Sequence, residues 1–319
     1  MSGTATDAPR QAQPKAWDGR THTGLGILIF FYAFRWLGPR FAYALLYPVV
    51  LCYLLFVRKA SLASRDYLRR RFPGIRGLRL WAMRYRHILS FGRVLLDRTY
   101  AFLGMLGHVE FERDGHEVIE KVLAQGKGVI LLSAHLGNWE LAAYCLGGFM
   151  AHGRRVPVNA VMFKGESEKV EKQLARASGE RPFRVIASND SLQASIECMA
   201  ALGRGEVVAI HGDRMLGSGG VRVPFLGAPA KFPTGALVLA ATTGAPVVFT
   251  FANRLGVRKY ALIARGPHQF KYTSRASRDE DLRRWVGQYA ALLEDLLQKY
   301  PLQWHNFYMF WETEAGTGW

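Results

Sequence analysis

His135 and Glu140 are the residues whose types and spacing carry the clearest chemistry in this chain, within the segment 129–144, VILLSAHLGNWELAAY. On one continuous helix a separation of five would set the two side chains roughly 140° apart about the axis. Across a strand-to-helix reversal they can fold back towards each other. A carboxylate on one imidazole nitrogen fixes the tautomer and leaves the other nitrogen as a base near neutral pH. Such a pair can take the proton from a hydroxyl as it attacks an acyl group. The same residues also arise without chemistry: a His at a strand end is commonly a satisfied loop residue, and the helix dipole favours Glu in a first turn.

The elements that must position this pair are legible around it. The apolar run after Gly126 and Gly128 predicts a strand over 129–134, and Leu136-Gly137 turns the chain. Asn138 as N-cap, with Trp139, Leu141, Ala142, Cys145 and Leu146 at helical spacing, predicts a helix over 138–150. From His108 onward strands (109–113, 156–162, 183–187, 207–211, 247–253) alternate with helices (117–124, 167–177, 191–202, 235–243). The alternation predicts an α/β fold, a mostly parallel central sheet flanked by helices. An amphipathic helix over 279–300 follows, stopped by Pro301. Residues 303–311, QWHNFYMFW, supply an aromatic set fit for a groove, a membrane interface or the core.

Two further constellations sit on this frame. Strand 207–211 delivers Gly212-Asp213-Arg214 into the glycine-rich 217–220, where α/β sheets tend to bind ligands. Arg214 suits an anionic group with Asp213 orienting it, and an ordinary salt bridge is the alternative. His211 and Asp213 are two metal-ligand types without a third, so no metal is expected. Pro233-Thr234-Gly235 shapes a turn into a helix whose first amides suit a phosphate or a developing oxyanion. Arg176, in helix 167–177, is a candidate cation for the same oxyanion.

The 319 residues are half apolar and carry a formal charge of +17, which calls for an acidic partner: nucleic acid, anionic lipid or an acidic protein. No helix-turn-helix, finger or RNP-like pattern speaks for nucleic acid. Cys52, Cys145 and Cys198 are scattered in apolar contexts and form no disulfide or metal pattern. Residues 1–23 read as a disordered tail, 24–57 as an apolar membrane anchor, and 58–104 as a basic juxtamembrane helical region. Residues 105–311 read as the α/β domain and 312–319 as a flexible tail. Within the anchor, residues 41–57 run for seventeen positions without a charge, the short edge of a spanning helix. Between Arg58 and Arg98 twelve basic residues face two acidic ones, the positive-inside signature, which places the globular part on the cytoplasmic side.

His135-Leu136-Gly137-Asn138-Trp139-Glu140 resembles the His-x-x-x-x-Asp/Glu motif of the glycerolipid acyltransferase superfamily. In its HLGNWE form it resembles the bacterial lipid A biosynthesis (lauroyl/myristoyl) acyltransferases. The similarity runs from about residue 41 to 311 and keeps the order of later blocks: Asp213-Arg214, then Pro233-Thr234-Gly235, then Gln303-Trp304 with a final Trp311. The resemblance implies an acyltransferase-type αβ sandwich with an N-terminal membrane-anchoring helix. It implies His135 as general base, Glu140 as its orienting carboxylate, and substrate contacts from Gly137, Asn138, Asp213, Arg214, Pro233, Thr234, Gly235 and Arg176. No cofactor is implied; acyl carrier protein supplies the acyl thioester, with acyl-CoA as the alternative donor. The expected partners are acyl carrier protein, anionic membrane lipids and a lipid A precursor or related glycolipid acceptor, at the bacterial inner membrane with the catalytic domain on its cytoplasmic face. The chain departs from the family in one place: residues 306–310 are Asn-Phe-Tyr-Met-Phe, where a phosphorylated disaccharide would call for a basic cluster. A thioesterase-like hydrolase and a non-catalytic membrane-binding module are the rival readings.

Overall fold

A computed structural model describes residues 24–146, 149–151, 153–163, 182–215 and 219–311. The expected terminal tails, the helix over 167–177 with Arg176, and residues 217–218 of the glycine-rich loop lie outside the described residues.

The two apolar N-terminal runs become the halves of α1 (Gly24–Phe56), broken at Gly38, whose φ of 83° precedes Pro39. The basic block becomes α2 (Arg58–Arg71) and α3 (Gly77–Phe102). One face of α1, with Ala42, Leu46, Val50 and Leu54 at four-residue spacing, is buried in a cluster shared with Ile88, Leu89 and Leu96 of α3. The fit is close at Gly92, where an added Cβ would lie 2.6 Å from Leu46 Cδ1. The other face leaves Val49, Leu51, Leu55 and Phe56 exposed. Its stretch Ile29–Phe56 is long and apolar enough to cross a membrane. A buried polar knot ties α1 to the body of the protein: Tyr43 and Tyr260 donate to Asp97 of α3, and Arg254 Nε meets the same carboxylate at 2.7 Å.

The α/β body follows in chain order: β1 (Glu110–Asp114), α4 (Glu117–Leu123), β2 (Val129–Ser133), α5 (Trp139–Leu146), the short pair β3 (Met150–Ala151) and β4 (Arg154–Arg155), then β5 (Val158–Met162) and β6 (Arg184–Ala187). Next come α6 (Ser191–Gly203), β7 (Val207–His211), the hairpin β8 (Gly220–Phe225) and β9 (Ala228–Pro233), α7 (Gly235–Thr243), β10 (Val247–Gly256), β11 (Lys259–His268) and α8 (Arg278–Lys299). Seven strands form the central sheet in the order β1-β11-β10-β2-β7-β5-β6. Every pairing is parallel except the β10–β11 hairpin.

β2 lies mid-sheet, and its apolar run is explained by burial on both faces. Ile130 and Leu132 join Leu237 of α7 and Leu293 of α8 on one side, while Val129 and Leu131 join Ile119 of α4 and Ala143 of α5 on the other. Each such side chain contributes about 1.5–3 kcal/mol by leaving water, so the strand that leads to His135 is firmly held on both faces. The helices are bounded as their sequences dictate. Asp190 caps α6, its Oδ1 accepting from the amides of Leu192 (2.9 Å) and Gln193 (3.1 Å). Gly244 ends α7 in the left-handed region at φ 69°.

Candidate active site

The turn after β2 is built by backbone contacts that only glycine permits. Gly137 has φ 73°, and a Cβ there would lie 1.9 Å from the carbonyl oxygen of Ala252. Its N–H donates to Gln303 O at 2.9 Å, and the next amide, of Asn138, donates to Ala252 O at 2.7 Å. Asn138 is 1% exposed. Its Oδ1 accepts from Leu141 N at 3.1 Å, the N-cap of α5, and its Nδ2 donates to Val94 O at 3.2 Å. Gly137 and Asn138, expected at the substrate, thus have their polar groups committed to shaping the reversal.

His135 does not meet Glu140. Its Nδ1 lies 2.7 Å from Asp213 Oδ1, and its backbone N–H donates to Asp213 Oδ2 at 2.9 Å. Glu140 Oε2 instead accepts from Arg98 of α3 at 2.7 Å. The physical reason is the sheet. β2 and β7 are parallel neighbours with Ser133 opposite His211, so the residues just past their ends, His135 and Asp213, face each other at the same edge. Glu140, in the first turn of α5, is turned towards α3. Asp213 is fully buried and also receives Trp304 Nε1–H at 2.8 Å. Asp213, expected to orient Arg214, serves His135. Arg214 directs Nε to Asn306 Oδ1 (3.1 Å) and a terminal nitrogen to His305 O (3.0 Å).

The charges follow from these contacts. Burial opposes ionisation of Asp213, but His135, His211 and Arg214 outweigh it and hold the carboxyl well below the usual carboxylate range. Burial and the positive charge of Arg214 pull His135 below its ordinary value, against the opposing pull of Asp213. An ionised Asp213 can only accept, so Nδ1 of His135 carries the proton and Nε2 is left as the basic nitrogen. The His135 side chain keeps 19% exposure, a route for substrate to reach it.

Beside the pair lies an apolar cavity of about 190 Å³. Ser133, His211 and Trp139 line it close to His135, and Ala143, Ala160 and Ala209 line it further on. It crosses the sheet face roofed by α4 and α5, and Arg113 and Glu120 also form part of its wall. His211, whose ring lies 4.3 Å from that of His135, is held well below its ordinary pKa by burial and by His135. Its Nδ1 is buried without a hydrogen-bond partner. His135, His211 and Asp213 hold ligand-type atoms within 4.8 Å of one another, so the third candidate ligand that the sequence did not place beside His211 and Asp213 is His135. Pro233, Thr234 and Gly235 join β9 to α7 and do not line this cavity.

The family model for bacterial lipid A biosynthesis acyltransferases matches residues 107–313. The chain belongs to that family. It is also similar to the phosphatidylinositol mannoside acyltransferase of Mycobacterium tuberculosis, in strains ATCC 25618 / H37Rv and CDC 1551 / Oshkosh. Each is 30% identical over 144 residues, 43% of this chain and 42% of that protein. The chain's match thus spans less than half the length of these relatives. The residues that the sequence reading missed are Arg98, the partner of Glu140, and Trp304, whose side chain also donates to Asp213. Trp304 carried a signal as part of the Gln303-Trp304 block, but nothing in the sequence around Arg98 marked it out from its basic neighbours.

Proposed function

We propose that this chain transfers a fatty acyl group from a thioester to a hydroxyl of a membrane glycolipid, with His135 and Asp213 as the working pair. The observation that carries the reading is His135 Nδ1 at 2.7 Å from a buried carboxylate, beside an apolar cavity. His135 Nε2 takes the acceptor's hydroxyl proton as that oxygen attacks the thioester carbonyl. Asp213 stabilises the imidazolium that forms. Collapse of the tetrahedral intermediate breaks the C–S bond, and the departing thiolate takes the proton back from His135. No acyl-enzyme is required. The acyl chain occupies the cavity of about 190 Å³, where Ala143, Ala160 and Ala209 offer apolar contact.

The donor is acyl carrier protein, whose acidic surface suits a chain of charge +17, with acyl-CoA as the second candidate. The acceptor class, a lipid A precursor or a related glycolipid such as a phosphatidylinositol mannoside, rests on family membership and on the mycobacterial relative. The apolar α1 followed by a basic α2–α3 supports anchorage in the bacterial inner membrane with the α/β body on the cytoplasmic face. Mass spectrometry of lipids from cells expressing wild type, His135→Ala and Asp213→Asn tests the reading. A lipid one acyl group heavier in wild type, and lost in both variants, is expected. The same product from His135→Ala would sink it, and acceptor-independent release of free fatty acid would favour the hydrolase.

A further inference from the structure

A second cavity, of about 630 Å³, opens on the other side of the segment that carries Trp304. Arg86 and Arg93 of α3, Arg254 of β10 and Lys299 of α8 line it, together with Ser90 and Gln303. No acidic side chain lines it among the described residues. Of the carboxylates around it, Asp97 is held by Arg254 at 2.7 Å, and Asp114, which Lys299 also influences, by Arg265 at 2.6 Å. Arg254 is already met by Asp97, which leaves Arg86 and Arg93 of α3 and Lys299 of α8 as like charges gathered in one concavity, where a bound anion would relieve their repulsion.

The surroundings say where that anion comes from. Arg93 donates to Tyr47 Oη at 3.1 Å and lies over its ring, and Tyr85 donates to the Tyr47 carbonyl at 3.1 Å, so the cavity's wall abuts the apolar α1. On another side the β10–β11 turn carries Leu255, which lines the cavity at 40% exposure, and Val257, 72% exposed. Apolar side chains bared on both sides of a basic basin fit a site at the headgroup level of a bilayer. The basin also borders the catalytic turn: Gln303 O accepts from Gly137 N, and His305 N donates to His135 O at 2.7 Å.

We infer that this basin binds the phosphate of an anionic lipid headgroup drawn from the membrane. The inference rests on reading α1 as the membrane anchor but not on the transfer chemistry. It also locates positive charge for a phosphorylated lipid in this chain: the cations absent from residues 306–310 are supplied by α3 and α8.

Binding of single lipids to the full chain in detergent, read by native mass spectrometry, tests this with phosphatidylglycerol, phosphatidic acid and diacylglycerol as probes. Wild type and His135→Ala are expected to hold one phosphatidylglycerol or phosphatidic acid and to discriminate against diacylglycerol. The triple variant Arg86→Gln/Arg93→Gln/Lys299→Gln is expected to bind the anionic lipids at least tenfold more weakly, with lipid-free thermal unfolding unchanged. Displacement of phosphatidylglycerol by millimolar inorganic phosphate would assign recognition to the phosphate alone; its persistence, with the triple variant still weakened, would assign it to the whole lipid. Equal binding of phosphatidylglycerol by wild type and triple variant, or equal binding of diacylglycerol, overturns the inference. Because His135→Ala is included, failure here and failure of the transfer reading are separate results.

Discussion

Replacing Asp213 by Asn changes one atom and separates the two carboxylates that compete for the role of partner to His135. Asp213 accepts three N–H donors: His135 Nδ1 and Trp304 Nε1 on separate oxygens, and the His135 amide beside the latter. An Asn amide cannot serve all three. Placed with its NH₂ on the Oδ2 side it would confront two donors, so its NH₂ turns to His135 and Nδ1 must become an acceptor. The ring proton then moves to Nε2, the nitrogen that has to be basic. The loss of rate should approach the size seen when a serine protease loses its equivalent carboxylate, about 10⁴-fold or about 5.5 kcal/mol of barrier. Glu140→Gln keeps a hydrogen bond to Arg98 and leaves the tautomer of His135 alone, so its rate should fall at least tenfold less than that of Asp213→Asn. The assay is initial-rate transfer from an acyl thioester to the acceptor, with thermal unfolding of each variant as a folding control. Folded Asp213→Asn within tenfold of wild type, alongside an inactive Glu140→Gln, would refute the structural assignment and restore the pair read from the sequence.

Because burial and Arg214 lower the pKa of His135, its basic form persists below the ordinary histidine value near 6.5. The acid limb of kcat/KM should therefore fall below pH 6.5, and a limb above it would contradict the buried geometry. His87 is wholly buried between Ser64 Oγ (2.9 Å) and Trp304 O (2.8 Å), and burial pushes its pKa down to about 4. The unfolded chain then takes up the proton first, so stability is full above pH 6.5 and drains as pH falls towards 4, by about 3 kcal/mol in all; His87→Gln should flatten that part of a denaturation-versus-pH curve. Ala209→Leu adds three carbons to the wall of a cavity of about 190 Å³. It should raise KM for long acyl donors while sparing short ones, and unchanged chain-length preference would move the acyl chain elsewhere. Gly137→Ala meets both a positive φ and a contact of 1.9 Å with Ala252 O. It should cost more than about 2 kcal/mol in unfolding experiments and abolish transfer.

The frame was legible because its signals are local. The apolar run of β2, the Asn138 cap of α5, the strand end at His211 and the stop at Pro301 each lie within a few residues of the element they define. The β3–β4 pair escaped, with Met150 expected at the end of a helix, and two further sheet components escaped for different reasons. β8 and β9 begin in a glycine-rich stretch that reads as loop until the two segments pair, Gly220 with Pro233 through Phe225 with Ala228. β11 has a readable apolar run, residues 260–264, but is turned back from β10 through Arg258 at φ 56°, which no glycine announces.

The site was half legible for the same physical reason. Its base lies in a local motif, whereas its carboxylate partner lies seventy-eight residues away and is brought in by strand order. Sequence proximity favoured Glu140. The parallel pairing of β2 with β7, Ser133 opposite His211, puts Asp213 against His135 and leaves Glu140 to α3. That division has a consequence for how the motif works. The salt bridge of Glu140 joins the start of α5 to Arg98, adjacent to Asp97, the residue that holds Tyr43 of α1 and Arg254 of the basic cavity. Glu140 thus helps hold the turn after β2 to α3 and, through it, to α1, while Asp213 sets the tautomer of His135. A change at Glu140 should therefore appear in unfolding or in KM for a membrane-borne acceptor without moving the pH limb of His135, whereas a change at Asp213 should act on the rate through the protonation of His135.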